Sequence, residues 1–268
     1  LSHLNGQFAF ALWDARRRRL LLARDRVGIR PLFYTEAAGR LCFASEVKAL
    51  FALPEVTRRL DIKALAETAT FWAPLAGRSA FAGIASLPPG HLLVVDGAQR
   101  RLVRYWDWQF QETLPAPRAE ADYADELKSL LVDAVRLQLQ ADVPVGAYLS
   151  GGLDSSIIAT IIRRYTDTPL RTFSLTFEDA EFDESSHQAE MAAALGTEHT
   201  AVRCSRDDIA AMFPATILHT ETPVVRTAPA PLMLLSRHVR ESGFKVVLTG
   251  EGADEVFGGY DIFKEAKI

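Results

Sequence analysis

The sequence predicts an α+β segment followed by an α/β segment built on a doubly wound parallel sheet. Three observations carry this. Residues 1–110 are runs of aromatic and β-branched residues around turn signals. Residues 111–122, QETLPAPRAEAD, are polar and hold two prolines, the composition of a linker. Beyond them strand-like and helix-like runs alternate, which implies right-handed crossovers and a parallel sheet.

In the first segment, GQFAFALWD, RLLLARD, LFYTEAAGRLCFASE and GHLLVVDGAQRRLVRYWDW read as strands and hairpins, with turns at Ala38-Gly39 and Asp96-Gly97. Arg16–Arg19 falls between two strands and reads as a solvated turn. SEVKALFAL and DIKALAETATF read as short helices, the second with Asp61 as N-cap.

In the second segment, Tyr123, Leu127, Leu130, Leu131, Ala134 and Val135 keep helical spacing and predict one apolar stripe. Then come strand VGAYL, helix SSIIATIIRRY, strand RTFSLTF, helix SSHQAEMAAALG and strand EHTAVRC. A helix from Asp207, the helix PLMLLSRHVRESG and the strand KVVLTG follow. Gly196 and Gly243 fall where helix C-terminal glycines belong.

Composition bounds the function. With 268 residues, 49% of them hydrophobic, the chain is long enough for two domains. A net charge of -4 supplies no basic field for nucleic acid or an anionic membrane. No apolar run approaches the ~18 residues that span a bilayer. Cys42 and Cys204 form no CxxC or Cys/His cluster, so zinc is unsupported and a reducing cytoplasm is the expected compartment.

The stretch most informative about chemistry is Ser150–Ser156, SGGLDSS, between a strand and a helix. In an open parallel sheet that place faces the ligand crevice, and the helix start offers amides and a positive dipole end to phosphate. Gly151 and Gly152 let the backbone approach an anion, and Ser150, Ser155 and Ser156 add hydroxyls. Asp154 would repel phosphates unless Mg²⁺ bridges them. The loop has neither the lysine of a Walker A sequence nor the G-x-G-x-x-G spacing. Ser-Gly-Gly alone reads equally as an ordinary tight turn. A second strand runs into a glycine-rich acidic loop at 246–260, VVLTGEGADEVFGGY, and Glu251, Asp254 and Glu255 are expected to face the same crevice.

Ser150–Ser156 resembles the SGGxDS pyrophosphate loop of ATP pyrophosphatases, enzymes that adenylate a substrate and release pyrophosphate. Residues 246–260 resemble the [ST]GEG-x-DE-x-FGGY segment of glutamine-dependent asparagine synthetases. LNGQFAFALWD, ARDRVGIRPLFY, FASEVKAL and LPPGHLLVV resemble the later part of that family's glutaminase domain, an N-terminal-nucleophile (Ntn) hydrolase fold. The resemblance implies glutaminase over 1–112 and the first part of an adenine nucleotide α-hydrolase-like synthetase domain over 118–268.

For the site, the resemblance implies that Leu149, Leu175, Thr249 and Gly250 hold the nucleoside of ATP. It gives Ser150, Gly151, Gly152, Asp154, Ser155 and Ser156 to pyrophosphate, Asp154 and Asp254 to Mg²⁺, and the catalytic carboxylate to Glu251. Asp183 and Glu184 are candidates near the nucleotide, with helix capping the better reading. The implied substrates are aspartate, glutamine and ATP, joined through β-aspartyl-AMP, and a homodimer is compatible with the family. A relative acting on another carboxylate, including a β-lactam-forming synthetase, is the alternative. An RNA-thiolating pyrophosphatase would bring basic surface and catalytic cysteines, neither of which is seen, and a non-enzymatic descendant would be expected to lose Asp154 or Glu251.

The family's glutaminase nucleophile is an N-terminal cysteine, and residue 1 here is leucine. Cys42, in LCFASE, reads as a small core residue, and Cys204 lies beyond the linker. The chain therefore reads as an internal piece of a longer enzyme, ending before the segments that complete the acceptor site.

Overall fold

The computed structural model describes residues 1, 3–75, 77–110 and 118–265. The chain divides into two compact units, Leu1–Leu114 with Ala215–Arg226, and Pro115–Pro214 with Thr227–Ile268. Most of the expected linker, 111–117, lies outside the described residues.

The first unit contains β1 (Ala9–Asp14), β2 (Arg19–Arg24), β3 (Phe33–Ala37), β4 (Arg40–Ala44), α1 (Val47–Leu50), α2 (Ile62–Phe71), β5 (Ala85–Ser86), β6 (His91–Asp96) and β7 (Gln99–Arg104). They form two antiparallel sheets, ordered β1-β2-β6-β7 and β4-β3-β5. The β3–β4 turn places Ala38 at φ 48° and Gly39 at φ 71°, the two left-handed positions that match hairpin twist. Arg16, Arg17 and Arg18 are the expected exposed turn, whereas Arg19 opens β2 and pairs with Asp96 at 2.6 Å. Leu22, Leu32, Leu87 and Leu93 form one core cluster; Val47, Leu50 and Ile84 form another, against which the half-buried Cys42 packs.

The segment after β2 turns on a buried charge. Asp25 is 1% exposed, and its carboxylate accepts from the backbone N–H of Phe8, Ile29 and Arg30. The Arg24 guanidinium donates to the carbonyls of Gly28, Arg30 and Leu87. The buried Asp25 and the half-buried Arg24 thus each organise loop backbone groups that need partners. Asp61 caps α2 by accepting from Lys63 N and Ala64 N, as expected. Glu221 does the same for α1 from far along the chain, accepting from Val47 N at 2.6 Å and Lys48 N at 2.7 Å.

The second unit contains α3 (Glu120–Gln138), β8 (Val145–Tyr148), α4 (Leu153–Tyr165), β9 (Arg171–Phe177), α5 (Ser185–Leu195), β10 (Glu198–Cys204), α6 (Arg206–Thr220, from Ala215 grouped with the first unit), α7 (Pro229–Glu241), β11 (Val246–Leu248), α8 (Ala253–Phe257) and α9 (Ile262–Glu265). Its strands run parallel in the order β10-β9-β8-β11. Helices cover both faces. Ala147 and Leu248 pack against Val132 and Val135 of α3 and Ile161 and Ile162 of α4. On the other face Phe173 packs against Leu235 and Val239 of α7. This is the doubly wound sheet expected from the alternation of runs. Cys204, at the end of β10, is buried.

The α3 stripe differs from expectation. Val132 and Val135 are buried with Leu131 and Leu139 beside them, while Leu130 is 61% and Tyr123 45% exposed. Only the C-terminal half of α3 joins that core, so the stripe turns away from solvent there and not along the whole helix. Among the described residues no helix is long and apolar enough to cross a membrane.

Candidate active site

The chain runs outward from β8 through β9 to β10 and then returns to add β11 on the other side of β8, so the strand order reverses between β8 and β11 and a crevice opens at their carboxyl ends. A cavity of ≈ 330 Å³ lies there, lined by both glycine-rich loops and by the end of β9. Leu149, Ser150, Gly152, Asp154, Ser155, Leu175, Thr249, Gly250, Glu251 and Asp254 all line it. Gly151 and Ser156 do not; they shape the loop from behind.

The loop after β8 is held by its own hydroxyls. Ser150 N donates to Ser155 Oγ at 3.1 Å, the two hydroxyls lie 2.9 Å apart, and Gly152 N donates to Ser150 Oγ at 3.2 Å. Ser156 Oγ donates to Gly152 O at 2.7 Å. Gly151 takes φ +90°, and a Cβ there would lie 3.1 Å from His187 Cβ, so both conformation and space select glycine. Gly152 caps α4 without any side-chain bond, which leaves first-turn amides for an anion at the helix start. The serines that the sequence suggested as phosphate donors thus act first as the loop's internal scaffold.

The second loop starts at Thr249, whose Oγ1 accepts from Glu251 N at 3.3 Å. Gly252, at φ +95°, turns the chain into α8, which carries Asp254 and Glu255. Tyr260 donates to Glu255 Oε1 at 2.9 Å, and this contact raises the phenol's pKa. Glu251 is exposed and Asp254 half-buried. Among the described residues no three acidic or His/Cys side chains converge into a metal cage. Asp154 and Asp254 nonetheless line one cavity. Two carboxylates fit Mg²⁺, which keeps several waters and takes phosphate oxygens as further ligands.

Asp183 and Glu184 take different parts. Asp183 accepts from Ser185 Oγ at 2.6 Å and from Phe177 N at 3.3 Å, and the Ser185 bond holds its carboxyl below the usual range. Glu184 precedes α5 without capping it and lines the cavity. Sequence reasoning missed Gln188, which lines the cavity from α5, and Leu232, which lines it from α7. Neither belongs to a motif.

The asparagine synthase family model matches residues 126–268, and a glutamine amidotransferase domain model matches 1–106. The chain belongs to the asparagine synthase family. Among its family relatives, asparagine synthetase 3 of Bacillus subtilis is 35% identical over 100% of this chain and 45% of its own length. A putative asparagine synthetase of Mycobacterium tuberculosis is 37% identical over 99% of this chain and 41% of its own. Amidase chyE of Penicillium rubens is 35% identical over 98% and 41%. The chain thus spans less than half the length of these relatives.

Proposed function

We propose that the protein adenylates a carboxylate with ATP and delivers ammonia from glutamine to it, with aspartate the acceptor and asparagine the product. The observation that carries this reading is the meeting of the SGGLDSS and GEGADE loops in one cavity at the strand-order reversal. In the proposed division of labour, 118–268 is the ATP-pyrophosphatase part, of the adenine nucleotide α-hydrolase type. Residues 1–112 are the later portion of an Ntn-hydrolase glutaminase.

The chemistry follows from the groups present. A carboxylate is a poor electrophile; its mixed anhydride with AMP carries a good leaving group. Leu149, Leu175, Thr249 and Gly250 line the part of the cavity given to the nucleoside. The uncapped start of α4 receives the phosphates, with Gly152 permitting close approach and Gly151 shaping the turn behind it. Asp154 and Asp254 would hold Mg²⁺, and the bound ion would supply positive charge to offset the negative charge growing on departing pyrophosphate. Glu251, exposed and lining the cavity, would take a proton from the incoming ammonia.

Similarity to amidase chyE favours a second reading, an acceptor other than aspartate on the same adenylating site. A panel of carboxylic acids, incubated with the protein, ATP, Mg²⁺ and ammonia, tests both. AMP and pyrophosphate formed only with aspartate support the first reading. Formation with another acid supports the second, and formation of ADP and phosphate contradicts both.

A further inference from the structure

We infer that Gln188 is a positioning residue of the nucleotide site, holding the carbonyl ends of β8 and β9 at the separation that the base and sugar of ATP require. The inference rests on the nucleotide reading above.

β8 and β9 stay in register as far as Leu149, whose N–H donates to Phe173 O at 2.9 Å. At Ser150 the chain turns out of the sheet into the loop, while β9 continues to Phe177. The strands fork there, and the fork leaves the Leu175 carbonyl without a rung from β8. Gln188, in the first turn of α5, fills it. Its Nε2 donates to Leu175 O at 2.9 Å and to Ser150 O at 3.3 Å. Both carbonyls belong to residues that line the cavity. The backbone of the same turn presses on the loop, since a Cβ at Gly151 would lie 3.4 Å from Gln188 N.

The cost of this arrangement marks it as more than packing. Gln188 is 3% exposed, and among the described residues its Oε1 has no hydrogen-bond partner. Reversing the carboxamide would set Oε1 against two carbonyl oxygens, so the orientation is dictated by the fork. A buried acceptor left unpaired opposes folding. An apolar side chain of the same length would fill the space without that penalty, yet would let the fork relax. A first-turn glutamine here therefore fixes two carbonyls at the expense of its own oxygen.

The test compares the wild-type chain with Gln188→Met and Gln188→Glu by calorimetric titration of Mg-ATP and of Mg-pyrophosphate, alongside thermal melting. Methionine keeps the length and removes the donors and the unpaired acceptor together. The expected result is a folded chain with a modestly lowered melting temperature, because two carbonyls lose their donor while one unpaired oxygen is removed, and with Mg-ATP affinity lowered about tenfold, the scale of one lost hydrogen bond to a fixed partner. Pyrophosphate, which lacks base and sugar, should bind within about twofold of wild type, inside the effect of that single bond. Glutamate keeps the shape but, when ionised, cannot donate to either carbonyl, and titrated well above the carboxylate range it should lose ATP affinity at least as far. A Gln188→Met chain that binds ATP like wild type, that loses ATP and pyrophosphate alike, or that fails to fold overturns the inference. A wild-type chain that binds no Mg-ATP overturns the nucleotide reading itself.

Discussion

Gly250 lies directly against Asp154: a Cβ on Gly250 would sit 2.8 Å from Asp154 Cβ and 2.9 Å from Ser155 N. The two glycine-rich loops thus meet backbone to backbone, and the start of α4 is located by the strand-end loop of β11. No side chain fits between them. Gly250→Ala is expected to cost about 1–3 kcal/mol, the usual penalty for overpacking, because α4 must shift to admit a methyl. Urea unfolding measures that loss. Mg-ATP affinity should fall with it, whereas Gly196→Ala, strained by its φ of +58° but remote from the cavity, should leave ATP affinity unchanged.

Glu251→Gln separates binding from chemistry. Glu251 is exposed at the cavity, its backbone N–H donates to Thr249 Oγ1, and among the described residues its side chain makes no hydrogen bond. Stability should stay within about 0.5 kcal/mol, as for surface changes generally. Mg-ATP affinity should stay within a few-fold, while carboxylate-dependent pyrophosphate release falls roughly a hundredfold. Collapse of affinity with normal turnover of bound substrate would make Glu251 a binding residue.

His199 links the sheet to pH. On β10 its Nδ1 lies 2.9 Å from Thr172 Oγ1 and its Nε2 3.1 Å from Ser174 Oγ, both on β9. Burial pushes its pKa below the ordinary value of 6.5. The unfolded chain therefore binds this proton more readily than the folded one. The neutral ring's contribution is complete above about pH 6.5 and is lost as pH falls toward the folded-state value. Denaturant unfolding from pH 7.5 down to pH 5 should show stability declining below pH 6.5, with a shallower decline in His199→Gln. Equal slopes in the two proteins would contradict this.

The local chemistry of the chain was legible. Asp61 before an apolar helix, Ala38-Gly39 between strands and glycines after α5 and α7 each depend on neighbours a few residues away. The site loops were legible for the same reason, since each is one continuous motif at a strand end. Long-range pairings were not. Glu221 meets Val47 and Lys48 across more than 170 positions, so nothing near it in sequence signals a cap. Gln188 reads as an ordinary helix residue until β8 and β9 are seen to fork. The α3 stripe misled because periodicity gives a face but not how far along the helix that face is covered.

Asp154 offers the most direct test of the central claim, that the cavity at the ends of β8, β9 and β11 binds Mg-ATP through the Ser150–Ser156 loop. Mg-ATP is titrated by calorimetry into wild type and into Asp154→Asn, which keeps the shape and removes the charge, with melting temperatures taken in parallel. Wild type should show saturable, Mg²⁺-dependent binding at one site. The variant should bind about a hundredfold more weakly, through loss of a carboxylate ligand, at an unchanged melting temperature. Equal affinity in the two proteins, or no binding by wild type, would contradict it.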